Sequence, residues 1–443
     1  MRILSFSTVY PNPVDKGLGI FVRARLQRMA AGAEIKVLAP VLPFNYKTME
    51  WKRGVGSRRQ DEAVEVLHPR WLYIPGMGVI ASLFLFLRLV VPVLRLRREF
   101  PFDLIDAHFG YPESIVAAML SLVARTPFTV TLRGSELLHG NYPLRRFLMR
   151  WALGRATRVI AVSEELRKFA IQMGVEPSRA VRIANGIDAS IFFRRDGGNL
   201  RQQYGIPADT KIVITSGHLI ELKGHHIAVE AVSELRRRGI PAQLWITGGE
   251  PGPGVASYKS HIRHTVARLG MEEHVRFWGQ VCSSQLAELM SMADVFCLAS
   301  SREGFPNVVQ EALACATPVV ATRVGAIPEI LDREGLGLIV PPGNLAAMTD
   351  ALEQALTTNW DHERIAACGR ARSWEQVAAE ALQQWGLGIC GDTGSDLSVQ
   401  VADFTKQLQK PLPDQSWSSR DDRPSSEMQR TLAKSPCGKV SLP

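Results

Sequence analysis

Residues 294–331, DVFCLASSREGFPNVVQEALACATPVVATRVGAIPEIL, constrain the fold of this chain more tightly than any other stretch. The apolar run 295–299 reads as a strand buried on both faces. A polar loop follows at 300–307. Val308, Val309, Ala312 and Leu313 then recur at helical spacing and predict a helix from near Pro306, where proline's missing N–H is no loss. P-V-V-A-T at 318–322 is the next buried strand. This order of strand, loop, helix and strand is the unit of a parallel α/β sheet, which binds ligands at the C-terminal ends of its strands.

The loop in this unit has two chemical properties. Backbone N–H groups at a new helix's N-terminus suit a phosphate. Glu303 and Glu311 add carboxylates, each able to take both protons of a vicinal diol. Taken alone, the two acids read equally well as a solvated loop residue and an ordinary helix acid. The same pattern recurs elsewhere. A strand at 3–9 leads through a loop with Gly17 and Gly19 to a helix from Ile20. A strand at 211–215 leads through S-G-H-L-I-E-L-K-G (216–224) to a helix from about His225. D-L-I-D-A-H (103–108) is a short strand ending in His108. Two such halves predict an α/β chain of two Rossmann-like domains facing across a cleft.

These motifs together resemble glycosyltransferase family 4. E-G-F-P-N-V-V-Q-E-A-L-A-C-A-T-P-V-V-A-T (303–322) is similar to the family's E-x7-E signature, and the likeness runs through nearly all of residues 1–390. The resemblance implies the GT-B fold. It implies an acceptor-binding domain over 1–190, a nucleotide-sugar-binding domain over 191–370 and a helix at 371–390 that crosses back to the first domain. It also implies a retaining glycosyltransferase moving a hexose from a nucleotide diphosphate sugar to a hydroxyl acceptor, in the setting of cell-surface polysaccharide assembly. Glu303, His108 and Lys223 carry the chemistry on this reading. Gly17, Gly19, His218, Lys223, Gly304, Phe305, Pro306, Asn307 and Glu311 hold the donor. No metal and no cofactor are expected, because Lys223, the glycine loop and the helix N-terminus take the place of a cation.

Three positions depart from the family's pattern. His218 stands where Arg is commonest, and imidazole lacks Arg's planar, permanently charged fork. R-G-S-E at 133–136 stands where many relatives have H-G-x-D, so the acceptor-side chemistry there is open. Ala316 stands where a helix-ending Gly is frequent.

Composition sets the remaining bounds. A chain of 443 residues suits two domains. Its six cysteines form no C-x-x-C pair and read as free thiols of a reducing compartment. The first hundred residues hold 16 Lys or Arg against 7 Asp or Glu, which accounts for the whole net charge of +9. Such a domain suits an anionic membrane surface or an acidic substrate; nucleic acid is not expected, since no binding motif accompanies the charge. Residues 45–70 read as a polar surface excursion. WLYIPGMGVIASLFLFLRLVVPVLRLRR (71–98), interrupted by Arg88 and Pro92, reads as a buried helix, with a membrane-surface contact as the alternative. The N-terminus has too short an apolar stretch for a signal peptide. A cytoplasmic protein is expected, at the inner face of the membrane if its acceptor is a lipid-linked glycan. Residues 391–443 are expected to be disordered. The rival functions are a nucleotide-sugar 2-epimerase and a non-catalytic donor-binding or membrane-scaffold protein.

Overall fold

A computed structural model of the chain describes residues 1–390 except 16, 43–54, 72–77, 79, 208 and 251–255. The expected disordered tail lies outside the described residues.

The chain opens with β1 (Arg2–Phe6), α1 (Ile20–Met29) and β2 (Glu34–Leu38). A hairpin of β3 (Arg58–Asp61) and β4 (Val64–Leu67) precedes α2 (Ile80–Glu99). Next come β5 (Leu104–His108), α3 (Glu113–Ala124), β6 (Phe128–Leu132), α4 (Glu136–His139) and α5 (Pro143–Leu153). β7 (Arg158–Ala161), α6 (Glu164–Gln172) and β8 (Ala180–Arg182) complete an eight-stranded sheet of order β3-β4-β2-β1-β5-β6-β7-β8. Among the described residues only the β3–β4 pair is antiparallel. Part of the expected surface excursion is therefore sheet. Its polar sequence hides this because β3 is an edge strand, and edges carry charge.

The second half begins with α7 (Gly197–Gln203) and β9 (Lys211–Ser216), then a 3-10 turn at Glu221–Lys223 and α8 (His225–Arg237). β10 (Ala242–Thr247), α9 (Ala256–Arg268), β11 (Val275–Gly279) and α10 (Ser283–Met292) follow. The unit that anchors the sequence reading is β12 (Val295–Leu298), α11 (Asn307–Ala314), β13 (Val319–Thr322) and α12 (Ile327–Ile330). β14 (Gly337–Val340), α13 (Leu345–Thr357) and α14 (His362–Gly369) close this half, and α15 (Trp374–Cys390) leaves it. The strand order β11-β10-β9-β12-β13-β14 is 3-2-1-4-5-6 when counted within the half, the dinucleotide-binding order. In both sheets the direction of winding reverses once, between β1 and β5 and between β9 and β12.

Burial explains why these runs form strands. β5, β6, β7, β12 and β13 are buried at every position, as parallel strands covered by helices on both faces must be. α15 returns to the first half. Its Trp374, Val377, Ala378, Ala381, Leu382 and Trp385 share one apolar cluster with Ile3, Val22, Leu26 and Leu104. The chain's entry to and exit from the second half run side by side, with Ile187 donating its N–H to the Arg372 carbonyl at 2.9 Å.

The apolar stretch beginning at Trp71 yields α2, a single helix that runs through both Arg88 and Pro92. Only one stripe of it is buried, at Ala81, Leu85, Leu89, Val93 and Leu96. Ile80, Leu83, Phe84, Leu87, Val91 and Leu94 stay exposed. α3 packs against both α2 and α5, and α5 adds exposed Leu144 and Phe147. Among the described residues no helix is long and apolar enough to cross a membrane.

Candidate active site

The reversal point of each sheet gathers the predicted residues. In the second half the loops after β9 and β12 meet there. The loop after β9 is compact because Gly217 and Gly248 touch: a Cβ on Gly248 would lie 1.8 Å from the Gly217 carbonyl oxygen. Lys223 lies at the end of the 3-10 turn, with its stem against Gly217. Its Nζ reaches Glu303 Oε1 at 2.6 Å, and Ser300 Oγ donates to the same oxygen at 2.6 Å. Both side chains are mostly buried, at 17% and 8% exposure. Two of the residues that the resemblance assigns to the chemistry thus form one ion pair.

Pro306 caps α11 in an extended conformation, and the helix starts at Asn307, beside the expected position. Glu311 lies within α11 and makes no described side-chain hydrogen bond. Its residue surface is partly exposed, and desolvation by the surrounding protein pushes its pKa up to about 7. The His218 side chain is exposed, while its carbonyl accepts from the buried His225 ring at 3.2 Å.

In the first half the loop after β1 carries the two glycines. Gly19 is left-handed (φ 66°) and a Cβ there would meet the Val9 carbonyl oxygen at 2.3 Å, so no other residue fits. Gly17 faces the other half, where Gln280 stands 3.3 Å from its Cβ position.

His108 ends β5 as expected but is fully buried. Its Nε2 faces Asp106 Oδ2 at 3.0 Å and Ser5 Oγ at 3.1 Å, and its Nδ1 faces Arg133 Nη2 at 3.1 Å. Guanidinium is a donor only, so Nδ1 accepts and Nε2 carries the proton. Burial drives the pKa of His108 far down against the pull of Asp106, and the ring stays neutral. The imidazole therefore lies one layer below the cleft surface, and Arg133 covers it. Asp106 is itself held by Arg25 at 3.2 Å and by Thr129 at 3.0 Å.

Glu136 supports the same loop. Its carboxylate accepts from the backbone N–H groups of Gly110 (2.8 Å), Arg133 (3.2 Å) and Gly134 (2.6 Å). Glu113, buried at the start of α3, accepts from the Thr8 backbone N–H at 3.2 Å and from the Thr8 hydroxyl. Burial raises its pKa to about 7. Sequence reasoning missed Asp106, Glu113 and the linkage through Arg133. The position of D-x-H at a strand's end was the available signal for Asp106.

The halves touch at this place. A Cβ on Gly304 would lie 2.0 Å from the Arg133 carbonyl oxygen, and one on Gly134 2.7 Å from Gly304 Cα. Asn185 Nδ2 donates to Asn307 Oδ1 at 2.9 Å. Phe305, expected among the donor contacts, packs on the apolar cluster of the first half.

A family model described as Glycosyltransferase Family 4 matches residues 29–191, and one described as Glycosyl transferases group 1 matches residues 197–372. The chain belongs to the family 4 glycosyltransferases. It is an enzyme of sugar transfer, a hexosyltransferase. TuaC of Bacillus subtilis, a glycosyltransferase named for teichuronic acid biosynthesis, is 28% identical over 404 residues, covering 87% of this chain and 93% of that protein. The GDP-mannose-dependent alpha-(1-6)-phosphatidylinositol monomannoside mannosyltransferase of Mycolicibacterium smegmatis is 27% identical, covering 84% and 92%. Anabaena Alr3699/HepE, solved with UDP, superposes with a TM-score of 0.66 at 23% identity, covering 87% of this chain and 99% of that one. Its complex with UDP-glucose gives 0.62 at 21% identity, covering 92% and 100%. The two-sheet architecture of this glycosyltransferase is the GT-B fold.

Proposed function

We propose that this glycosyltransferase moves a hexose, with retention, from a nucleotide diphosphate sugar to a hydroxyl of a lipid-linked glycan at an anionic membrane surface. The observation that carries the donor half of this reading is the Lys223–Glu303 pair at the reversal point of the second sheet. A donor diphosphate entering there draws the Lys223 ammonium toward its phosphate oxygens. Glu303 is then free to accept from sugar hydroxyls. The α11 N-terminus and the Gly17–Gly19 loop add N–H groups for the leaving diphosphate, as preorganised electrostatics. No metal is invoked. The bond from the anomeric carbon to the phosphate oxygen breaks, the acceptor oxygen bonds to that carbon on the same face, and the acceptor's proton leaves with the diphosphate. Glu311 takes the ribose diol in its carboxylate form. His108 acts through Arg133 as a positioning residue. HepE's complexes with UDP and UDP-glucose support a donor of this class.

The exposed stripe of α2 and the neighbouring Leu144 and Phe147 of α5 support the membrane half. Arg88, Arg95, Arg98, Arg146 and Arg150, all exposed, flank this apolar surface. Leucine and phenylalanine beside arginine suit the boundary between acyl chains and anionic headgroups. The phosphatidylinositol mannoside acceptor named for the mycobacterial relative is of the same kind, and TuaC's pathway suggests the polysaccharide setting. The test is product analysis after incubating purified protein with labelled UDP- and GDP-sugars, with and without membrane lipid extract. Sugar transferred into the lipid fraction is expected. Donor epimerised without any acceptor would overturn the reading.

A further inference from the structure

We propose that Arg133 binds a negatively charged group, a carboxylate or a phosphate, carried by the acceptor. This rests on the donor site proposed above and adds the acceptor's chemistry to it.

Arg133 follows directly on β6 and is only 8% exposed. Of its three guanidinium nitrogens, Nη2 is used, on His108. Nε and Nη1 are buried without a partner, and Arg133 forms no ion pair among the described residues. The guanidinium carbon lies 4.9 Å from the centre of the Phe21 ring, which stands just beyond the glycine loop. The nearest acid in sequence, Glu136, has both oxygens engaged by backbone N–H groups and offers none to the guanidinium.

A buried cation with free N–H groups is costly unless an anion arrives. Burial and the charge of Arg25 press against the protonated form of Arg133 and outweigh the pull of the Asp106 and Glu136 carboxylates, neither of which forms an ion pair with it among the described residues. The layer beneath is built to hold this cation in place, since Asp106 fixes His108 and His108 fixes Nη2. The backbone of Arg133 and Gly134 meets Gly304, beside Glu303, so Arg133 is anchored at the seam with the proposed sugar-binding loop, and its guanidinium turns toward His108 and Phe21 of the first half. The donor diphosphate has Lys223 on the second-domain side. An added positive charge near a carbon that becomes oxocarbenium-like would oppose the reaction, and an acceptor bearing its own negative charge neutralises it. Arginine matches carboxylate and phosphate oxygens through directed N–H bonds that a histidine could not supply in the same number.

The test uses UDP-saturated protein titrated calorimetrically with D-glucuronate, inorganic phosphate and D-glucose. We expect at least one anion to bind more tightly than D-glucose. Glucuronate alone assigns a uronate-bearing acceptor, and phosphate alone a phosphorylated one. Arg133→Gln should weaken that anion roughly tenfold or more, with UDP affinity changed less than about twofold, as expected for a group that touches only the acceptor. Arg133→Lys keeps the charge without the fork and serves if the Gln variant fails to fold; it should bind the anion several-fold more weakly than wild type. Equal anion binding by wild type and variants would overturn the proposal. So would a parallel loss of UDP affinity, which would assign Arg133 to the donor diphosphate. Wild-type protein that binds no UDP or GDP would instead refute the donor site itself.

Discussion

Single residues carry two of the sharpest consequences. Glu311 has its pKa raised to about 7 by burial, and only its carboxylate accepts both protons of a ribose diol. The sign follows directly: donor affinity is full above that pH and falls as the pH drops through it, by about tenfold per unit once the acid form dominates. Calorimetric titration of UDP between pH 5 and 8 (roughly the window around that pKa) should show the decline, and Glu311→Gln should flatten it while lowering affinity at high pH. A pH-independent wild type would remove Glu311 from the donor site. Ala316 sits at φ 68°, a left-handed conformation costing an L-residue about 1 kcal/mol or more. Ala316→Gly should raise stability by about 1 kcal/mol in chemical denaturation, with activity unchanged. The departure from the family's glycine is thus a local strain at the end of α11, far from the loop that meets the first half.

At the scale of elements, α2 is the informative one. It buries one stripe and leaves another exposed between arginines. Leu87→Glu with Val91→Glu should abolish flotation with phosphatidylglycerol vesicles while leaving the melting temperature nearly unchanged, because both side chains are about half exposed. Unaltered flotation, or loss of a dimer by light scattering, would assign the face to another partner. Element by element, legibility in the sequence followed burial. Parallel strands covered on both faces read as apolar runs, so β1, β5, β9, β12 and β13 were plain. The β3–β4 hairpin was not, because its polar residues resemble a loop. Pro92 removes one backbone hydrogen bond from α2, and packing of the stripe from Leu85 to Leu96 outweighs that loss. Within the site, loops and glycines were legible from local spacing. Lys223 with Glu303, and the link from His108 to Arg133, were not: no local pattern records which rotamers meet across 80 residues or between adjacent strands.

The molecule as a whole turns on how its halves meet. Gly134 and Gly304 approach backbone to backbone, Asn185 bonds Asn307, and Glu329 on α12 accepts from the Glu164 N–H at 2.7 Å while pairing with Arg182 at 2.6 Å. A methyl group at position 304 would collide with the Arg133 carbonyl, so Gly304→Ala should hold the halves apart. Misplacement of about 1 Å costs on the order of 100-fold in rate; kcat should fall by that order, with a larger radius of gyration by small-angle scattering. Unchanged kcat would show that this contact loosens before chemistry. α15 has a different weight. Trp385 is fully buried among first-half residues, and Trp385→Ala should cost about 3–5 kcal/mol in the first half's unfolding step.

That placement of α15 also sets an order of events during synthesis. The first sheet is complete at Arg182, yet one wall of its core arrives only with residues 374–390. At ribosomal speeds of about 5–20 residues per second, the nascent first half waits on the order of tens of seconds with Ile3, Val22 and Leu26 uncovered. Meanwhile the second half, which needs no such return, closes its own core. The chain's first strand is therefore among the last to be sealed, and chaperone contact during translation should concentrate on the face that α15 finally covers.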